Sequence, residues 1–456
     1  MLTGSGRVRC LFGTDGVRDV ANRGMLTPEM ALHLARAFVW WLVRRGVSRP
    51  RVVVGRDTRR SGDMLEAATM AGLMSAGADA LTVGVLPTPG VSFAIGSVGA
   101  SGGVVISASH NPAEYNGIKF FDSQGCKLSD EDEASIEEYM DDHLLDDWRP
   151  TGASTGVVGD GAFLRERYQH WLESLAGEHT WPGRLVVDCA HGAAVPVAGP
   201  LFALLGADTV VTGDRPDGLN INEDVGVMHM SHLVGCVKEH RGQLGVAFDG
   251  DADRVLFVDR QGRTLDGDVL LWVLARWLRR RGTLGSGVVA TVMSNMALEE
   301  HLGEEHIPVF RCPVGDRYVL ETMKREESQL GGEQSGHIII REFVSTGDGL
   351  CSALLFLRAC RELGEDVDTL VDRFARYPQI LRNLHVKDKR RILEDDNWQV
   401  FLNQAEARMQ GVGRILVRPS GTEPLVRILV EAKDPTLVQA VSDDLEARIC
   451  ALNAEN

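Results

Sequence analysis

A hydroxyl, an imidazole and an amide stand side by side at Ser109, His110 and Asn111, between the apolar, β-branched run 103–106 and Pro112. The run reads as a buried strand, and proline ends any regular element. A nucleophilic hydroxyl therefore falls where a strand end meets a loop, the kind of crevice in which open α/β sheets bind ligands. A polar loop with a turn proline would by itself account for these residues. Three other polar clusters make that reading insufficient, because together they supply what a phosphorylated Ser109 would need.

The first cluster is Asp249-Gly250-Asp251-Ala252-Asp253-Arg254, directly after the apolar run 244–248 and before another at 255–258. Three carboxylates separated only by Gly and Ala repel each other unless a cation lies among them, and the small spacers let the loop curl until their oxygens converge. Hard divalent cations take oxygen ligands, and the loop lacks the EF-hand pattern, so Mg²⁺ is expected rather than Ca²⁺. Arg254 is a candidate catalytic cation beside it. The second cluster, Gly332-Glu333-Gln334-Ser335-Gly336-His337, sets a carboxylate and a hydroxyl two residues apart between glycines, a grip for vicinal sugar hydroxyls; an ordinary glycine hairpin with His337 satisfied in the core would look the same. Gly315, Asp316 and Arg317 lie in a loop opening onto a helix, a further candidate ligand contact. In the third cluster, Arg418-Pro419-Ser420-Gly421-Thr422-Glu423-Pro424 with Arg427 beyond, guanidinium groups, hydroxyls and a glycine-permitted turn suit an anion, here a phosphate. It is not a nucleotide P-loop.

The positioning elements follow from pattern. Residues 51–57, 62–76 and 80–84 read as strand, helix, strand, one βαβ unit. The Arg56-Asp57-Thr58-Arg59 run at its first strand end reads as a local ion pair rather than a substrate contact. Gly77-Ala78-Asp79 with Gly84 recurs as Gly206-Ala207-Asp208 with Gly213, each after an apolar strand ending in Asp (Asp57, Asp188), and a third such unit spans 287–311. Structural duplication explains this economically. Asn116-Gly117 reads as a tight turn that returns a strand, and Lys119 on it, toward Ser109. The polar stretch 141–161 reads as a linker, with further boundaries near 259–262 and 377–378; the resulting segments are 1–150, 151–260, 261–376 and a small α+β module, 377–456. Ser345-Thr346-Gly347-Asp348-Gly349 reads as a helix cap.

With 456 residues the chain is too long for one core, and 44% hydrophobic with 25% charged residues is ordinary globular composition. No stretch approaches the ~18 apolar residues of a membrane span, no export signal layout is evident, and the eight cysteines form no C-x-x-C pair. A cytoplasmic protein is expected. A net charge of −16 argues against nucleic acid or an anionic membrane as partner, so an anionic substrate must be drawn by local Arg and Lys.

Taken together, the clusters make a hydroxyl nucleophile, a divalent cation, a sugar grip and a phosphate clamp, which is the equipment of phosphoryl transfer between sugar and enzyme. Lys119, with His110 or His337, would move the proton of the attacking hydroxyl, provided burial and nearby cations lower the lysine's pKa. Over essentially its whole length, and with five motifs in order, the chain resembles the α-D-phosphohexomutases. The resemblance implies four domains around a central cleft, three related α/β domains with mixed sheets and a smaller C-terminal α+β domain. It implies that Ser109 carries a phosphoryl group, that Ser109 and Asp249, Asp251 and Asp253 hold Mg²⁺, and that Glu333 and Ser335 grip the sugar. Arg418, Ser420, Gly421, Thr422 and Arg427 would hold the non-reacting phosphate; Arg18, in the Phe12-Gly13-Thr14-Asp15-Gly16-Val17-Arg18 opening, would face a phosphate. A sugar bisphosphate as priming activator and a homodimer are further implications. That opening and the Gly-Glu-Gln-Ser-Gly-His form resemble the bacterial branch acting on glucosamine phosphates, with the glucose and mannose phosphate branch as the alternative. Ala252 departs from the glycine common at its position, and Tyr115 from a frequent acidic residue. A haloacid-dehalogenase-type phosphatase would make Asp249 the nucleophile but leaves Ser109 without a role.

Overall fold

The computed structural model describes residues 11–13, 15–177, 181, 183–204, 206–420 and 424–454, and these form two compact units. The larger comprises the chain up to Met293 with His306–Asp372; the smaller comprises Ser294–Glu305 with the chain from Arg373 onward.

Three sheets make up the larger unit, and each contains the same four-strand arrangement. A strand pairs in parallel with the next strand on one side and with a later one on the other, and that later strand turns back through a short loop to pair antiparallel with its successor. In the first sheet these are Arg51–Arg56, Asp79–Val85, Gly102–Ile106 and Tyr115–Phe121. In the second they are Arg184–Asp188, Asp208–Thr212, Leu244–Phe248 and Val255–Asp259. The third repeats them as Val288–Thr291, Val309–Cys312, Leu330–Gly332 and Ile338–Ile340. The loops that reverse direction carry Ser109, the three aspartates and the Glu333/Ser335 pair, one per sheet. The recurring Gly-Ala-Asp signature has a structural cause, since Asp79 and Asp208 each open the second strand, with Gly84 and Gly213 at left-handed φ.

The strands feeding the loops are buried from end to end, as Gly102–Ile106 and Leu244–Phe248 illustrate, because helices cover both faces. In the first sheet the helix Pro28–Arg44, capped by Thr27 and opened by Pro28, sets Phe38 against Phe120 at 4.7 Å between ring centroids. The smaller unit has a three-stranded antiparallel sheet, Gln379–His385, Leu425–Ala432 and Gly413–Pro419, with the helices Asp396–Met409 and Pro435–Ala454 sharing a core around Trp398. No helix among the described residues is long and apolar enough to cross a membrane, and none of their cysteines is in a disulfide.

Two expectations are corrected. Asn116-Gly117 is not a turn: both lie inside the strand Tyr115–Phe121, and residues 107–114 make the reversal. Glycine is needed at 117 because a Cβ there would lie 2.6 Å from the Ser107 carbonyl oxygen, while the Asn116 side chain is spent on Ser61 and the Gly117 N–H. The stretch 141–161 is also more than a linker. It holds the helix His143–Asp147 and the strand Val158–Asp160, which extends the first sheet by pairing in parallel with Asp79–Val85.

The backbone approach at Gly117 gives a direct test. Gly117→Ala is expected to destabilise the protein by about 1–3 kcal/mol. Gly235→Ala, in the helix Met230–Glu239 with open space around the new methyl, is expected to stabilise it by up to ~1 kcal/mol. Thermal unfolding midpoints of the two variants moving in opposite directions would bear this out.

Candidate active site

The Ser109 loop turns sharply because Ser109 has a left-handed backbone, φ +50°. Its hydroxyl donates to Asp249 Oδ2 at 2.6 Å and lies 3.3 Å from His110 Nδ1, while the residue is only 2% exposed. Burial and the cationic neighbours Arg254 and Arg18 push the His110 pKa down to about 4, so the ring is neutral at ordinary pH.

Asp249, Asp251 and Asp253 each offer an oxygen to one point, these atoms lying within 4.8 Å of one another, and all three residues are buried. Ala252 makes the curl by adopting φ +57°, the conformation for which glycine would be freer. The remaining oxygens are anchored from outside. Asp251 Oδ2 accepts from Thr88 Oγ1 at 2.7 Å and Lys119 Nζ at 3.0 Å. Asp253 Oδ2 faces His337 Nδ1 at 3.5 Å, and Asp249 Oδ1 accepts the Arg254 N–H at 3.2 Å. Asp251 Oδ1 and Asp253 Oδ1 are buried without a hydrogen-bond partner among the described residues. Orphaned carboxylate oxygens are costly inside a protein, and an all-oxygen donor set of this kind fits a hard divalent cation. Burial first, then repulsion from Asp253 and Asp251, drives the Asp249 pKa well above the carboxylate range. Burial opposes the charge on Asp253 as well, but His337, Lys119 and Arg254 outweigh it and hold that carboxyl low.

The expectation that the Lys119 pKa falls is reversed. Lys119 is 2% exposed, and burial alone would discharge it, but ion pairs to Asp15 and Asp251, each 3.0 Å, raise its pKa. Those ion pairs favour its ammonium form.

Asp15 and Lys127 are central to the site, although sequence reasoning passed over them as functional residues. Lys127 Nζ bridges Asp15 and Asp316 at 2.5 Å each. Asp316 in turn lies 3.9 Å from His337 Nε2, and His337 faces Asp253, so an alternating chain of charges runs from Asp251 round to Asp253. His337, expected either in the core or in proton transfer, is 2% exposed; burial works against its protonation, yet Asp253 raises its pKa. Lys127 had no motif to signal it; only the Asp15 opening could have pointed to it.

Arg18 donates to Asp15 at 2.6 Å, and the Arg254 pKa is raised because Asp253, Asp249 and Glu333 outweigh its burial. Glu333 Oε1 accepts the Gly315 N–H at 3.1 Å, and Ser335 Oγ lies 3.3 Å from Glu333 Oε2, so the two side chains expected to grip a sugar are adjacent. Gln334 turns away to Asp268 at 3.2 Å. Arg317, expected at the ligand, pairs with Glu133 at 3.0 Å and with Asp130, both on the helix Asp130–Met140. Backbone bonds lock the aspartate and sugar loops together, with the Val255 N–H donating to the Gly336 carbonyl at 3.1 Å. In the smaller unit Arg418 and Arg427 are direct cross-strand partners beside Ser420; Gly421 and Thr422 lie outside the described residues, as does Thr14.

Comparison with known proteins follows the same pattern. Models of phosphoglucomutase/phosphomannomutase domains match in order: alpha/beta/alpha domain I over residues 9–145, domain II over 166–262, domain III over 266–377 and the C-terminal domain over 381–448. The phosphoglucosamine mutase of Bacillus velezensis is 46% identical over 427 residues, 93% of this chain and 95% of the relative. Among solved structures, a phosphoglucomutase/phosphomannomutase family protein from Burkholderia thailandensis superimposes with TM-score 0.79 at 24% identity, over 96% of this chain and 97% of that one. A putative phosphomannomutase from Thermus thermophilus gives 0.74 at 27% identity, over 97% and 98%. The chain belongs to the phosphoglucomutase/phosphomannomutase family, the phosphohexomutases, which are isomerases that work as intramolecular phosphotransferases.

Proposed function

We propose that this protein interconverts glucosamine 6-phosphate and glucosamine 1-phosphate through a phosphoserine at Ser109, in the cytoplasm and in the supply of cell-wall precursors. The observation that carries the reading is the Ser109 hydroxyl 2.6 Å from Asp249 inside a converging carboxylate triplet. The choice of amino sugar rests on relatives 44–46% identical over most of the chain, among them those of Bacillus velezensis and Bacillus pumilus, which bear the name phosphoglucosamine mutase.

In this reading the phosphoryl group leaves Ser109 Oγ for the free hydroxyl of the sugar phosphate, giving free serine and a sugar bisphosphate. The bisphosphate reorients and returns its other phosphoryl group to the same oxygen. Mg²⁺ held by Asp249, Asp251, Asp253 and the serine phosphate would supply Lewis-acid neutralisation of the charge on the transferring group. Neutral His110, at hydrogen-bond reach of Ser109, holds or passes the hydroxyl proton, with His337 as the second candidate. Lys119, Arg18 and Arg254 contribute fixed positive charge. Glu333 and Ser335 orient the sugar, with Gly315, Asp316 and Arg317 as further substrate contacts; Arg317 also ties their loop to the helix Asp130–Met140. Arg418, Ser420, Gly421, Thr422 and Arg427 are proposed for the distal phosphate. A sugar bisphosphate can load the first phosphoryl group, and a homodimer is proposed as the assembly.

Assay of the Mg²⁺-loaded phosphoprotein on glucosamine, glucose and mannose 6-phosphates is expected to give the highest kcat/KM with the amino sugar, and none of the three reactions with Ser109→Ala. Preference for a neutral sugar would move the protein to the other branch; turnover by Ser109→Ala would sink the phosphoserine route. Thr88 orients a proposed ligand without being one, and losing such a partner typically weakens metal binding about 10–100-fold. Thr88→Val is therefore expected to raise the Mg²⁺ dissociation constant by that factor in a calorimetric titration, with the fold intact by circular dichroism.

A further inference from the structure

Ser109 is held in a backbone conformation that costs a non-glycine residue about 1–2 kcal/mol, so something must hold it there. The first holder is the Arg59 side chain. Arg59 is fully buried, and each of its five guanidinium N–H groups has an acceptor. Nε donates to Asp57 Oδ2 at 2.9 Å. Nη2 donates to the carbonyls of Ser109 at 2.9 Å and Asn111 at 2.7 Å. Nη1 donates to the Tyr115 carbonyl at 2.9 Å and to that of Pro112. Four carbonyls of one loop thus converge on one planar cation. Asp57 completes the frame by accepting from Ser107 Oγ at 2.6 Å, and the same hydroxyl accepts the Ser109 N–H at 3.0 Å.

A second holder reaches in from the second sheet's part of the chain. Asn222 Nδ2 donates to the Ser109 carbonyl at 2.9 Å and to that of Asn111 at 3.1 Å, the same two carbonyls that Arg59 Nη2 binds. Gly250, between the first two aspartates, leaves room for this meeting, since a Cβ there would lie 2.5 Å from the Ser109 carbonyl oxygen and 2.9 Å from Asn222 Nδ2. The segment after Asp57 is joined to the second sheet's loops as well, through Thr58 Oγ1 to the His191 carbonyl at 2.5 Å and the Arg60 N–H to that of Gly218 at 2.9 Å.

We propose that Arg59 and Asn222 are positioning residues for phosphoryl transfer: by binding the Ser109 and Asn111 carbonyls from two sides, they fix Ser109 in its left-handed conformation and hold its Oγ at the aspartate cluster. Neither touches the reacting atoms; both act through Ser109. The proposal rests on the reading of Ser109 as phosphoryl carrier. Lysine, with three donors and no planar fork, cannot replace the five-point contact of Arg59.

The test measures kcat, KM and the phosphoryl content of Ser109 by intact mass for wild type, Arg59→Lys and Asn222→Ala. A reacting atom displaced by about 1 Å costs on the order of 100-fold in rate. Both variants are expected to lose roughly 10–100-fold in kcat, with KM within about twofold of wild type, because the sugar and phosphate contacts are untouched. If the buried Arg59→Lys fails to fold, Asn222→Ala decides. A folded Asn222→Ala enzyme with kcat within twofold of wild type, or with kcat and KM changed together, overturns the proposal. Wild-type turnover without phosphoryl on Ser109 would instead bring down the phosphoserine reading, and this proposal with it.

Discussion

The physical constraint on which the site depends is the mutual repulsion of three buried carboxylates. Asp249, Asp251 and Asp253 are held together out of water, where like charges cost most. The protein meets that cost in three ways. Asp249 is pushed toward its protonated form, Asp253 is held ionised by His337, Lys119 and Arg254, and the outer oxygen of Asp251 takes Thr88 and Lys119. What remains are Asp251 Oδ1 and Asp253 Oδ1, buried with no hydrogen-bond partner among the described residues, which suits a cation site. Lys119 and His337 in turn need counter-charges, and these come from Asp15 and Asp316, joined by Lys127. The charged residues of the site thus form one connected network, not a set of independent contacts.

The fold delivers such a network because it repeats one device. A loop that follows a parallel strand and returns as its antiparallel neighbour starts at the carboxyl end of a parallel sheet, where α/β folds gather their ligands. The buried strands on both sides leave the loop little freedom. Three copies give three loops with different chemistry on the same support: a hydroxyl, three carboxylates, and a carboxylate–hydroxyl pair, proposed as nucleophile, cation ligands and sugar grip. Hydrogen bonds between loops then fix their relative placement, Asn222 to the Ser109 loop and Val255 to the sugar loop being two examples.

Much of this was legible in the sequence, and the reasons differ from residue to residue. Residues whose chemistry is local and dense, such as the Asp-Gly-Asp-Ala-Asp run, identify themselves, because few other arrangements tolerate them. The strand-loop-strand placement of Ser109 was legible for a similar reason, since β-branched runs and proline act over short range. Asn116-Gly117 misled because a turn propensity was overridden by the close approach of the Ser107 carbonyl, which favours glycine in a strand for a different reason. The strand Val158–Asp160 was missed because it is short, exposed and at a sheet edge, with none of the apolar pattern of a central strand. Lys119 reaches Asp251 of the carboxylate triplet, but its charge state depends also on Asp15, more than a hundred residues earlier. Arg59 shows the same limit. Its pairing with Asp57 was readable from their spacing, while the four carbonyls it gathers belong to a loop some fifty residues on.

The long-range partners also set the field in which the proposed transfer would run. Asp15, Asp249, Asp251, Asp253 and Asp316 face Arg18, Lys119, Lys127, Arg254 and His337, so acidic and basic groups alternate around the site. On the proposed reading, a serine phosphate of about −2 and a divalent cation enter this balance together. Their charges offset each other, whereas the phosphate alone would alter the balance by about two. A network so nearly neutral in both conditions has little reason to rearrange between them. Its cations can therefore be spent on holding loops in place, as Lys127 is between Asp15 and Asp316, and on the proposed reading Ser109 gains and loses its charge in that fixed frame.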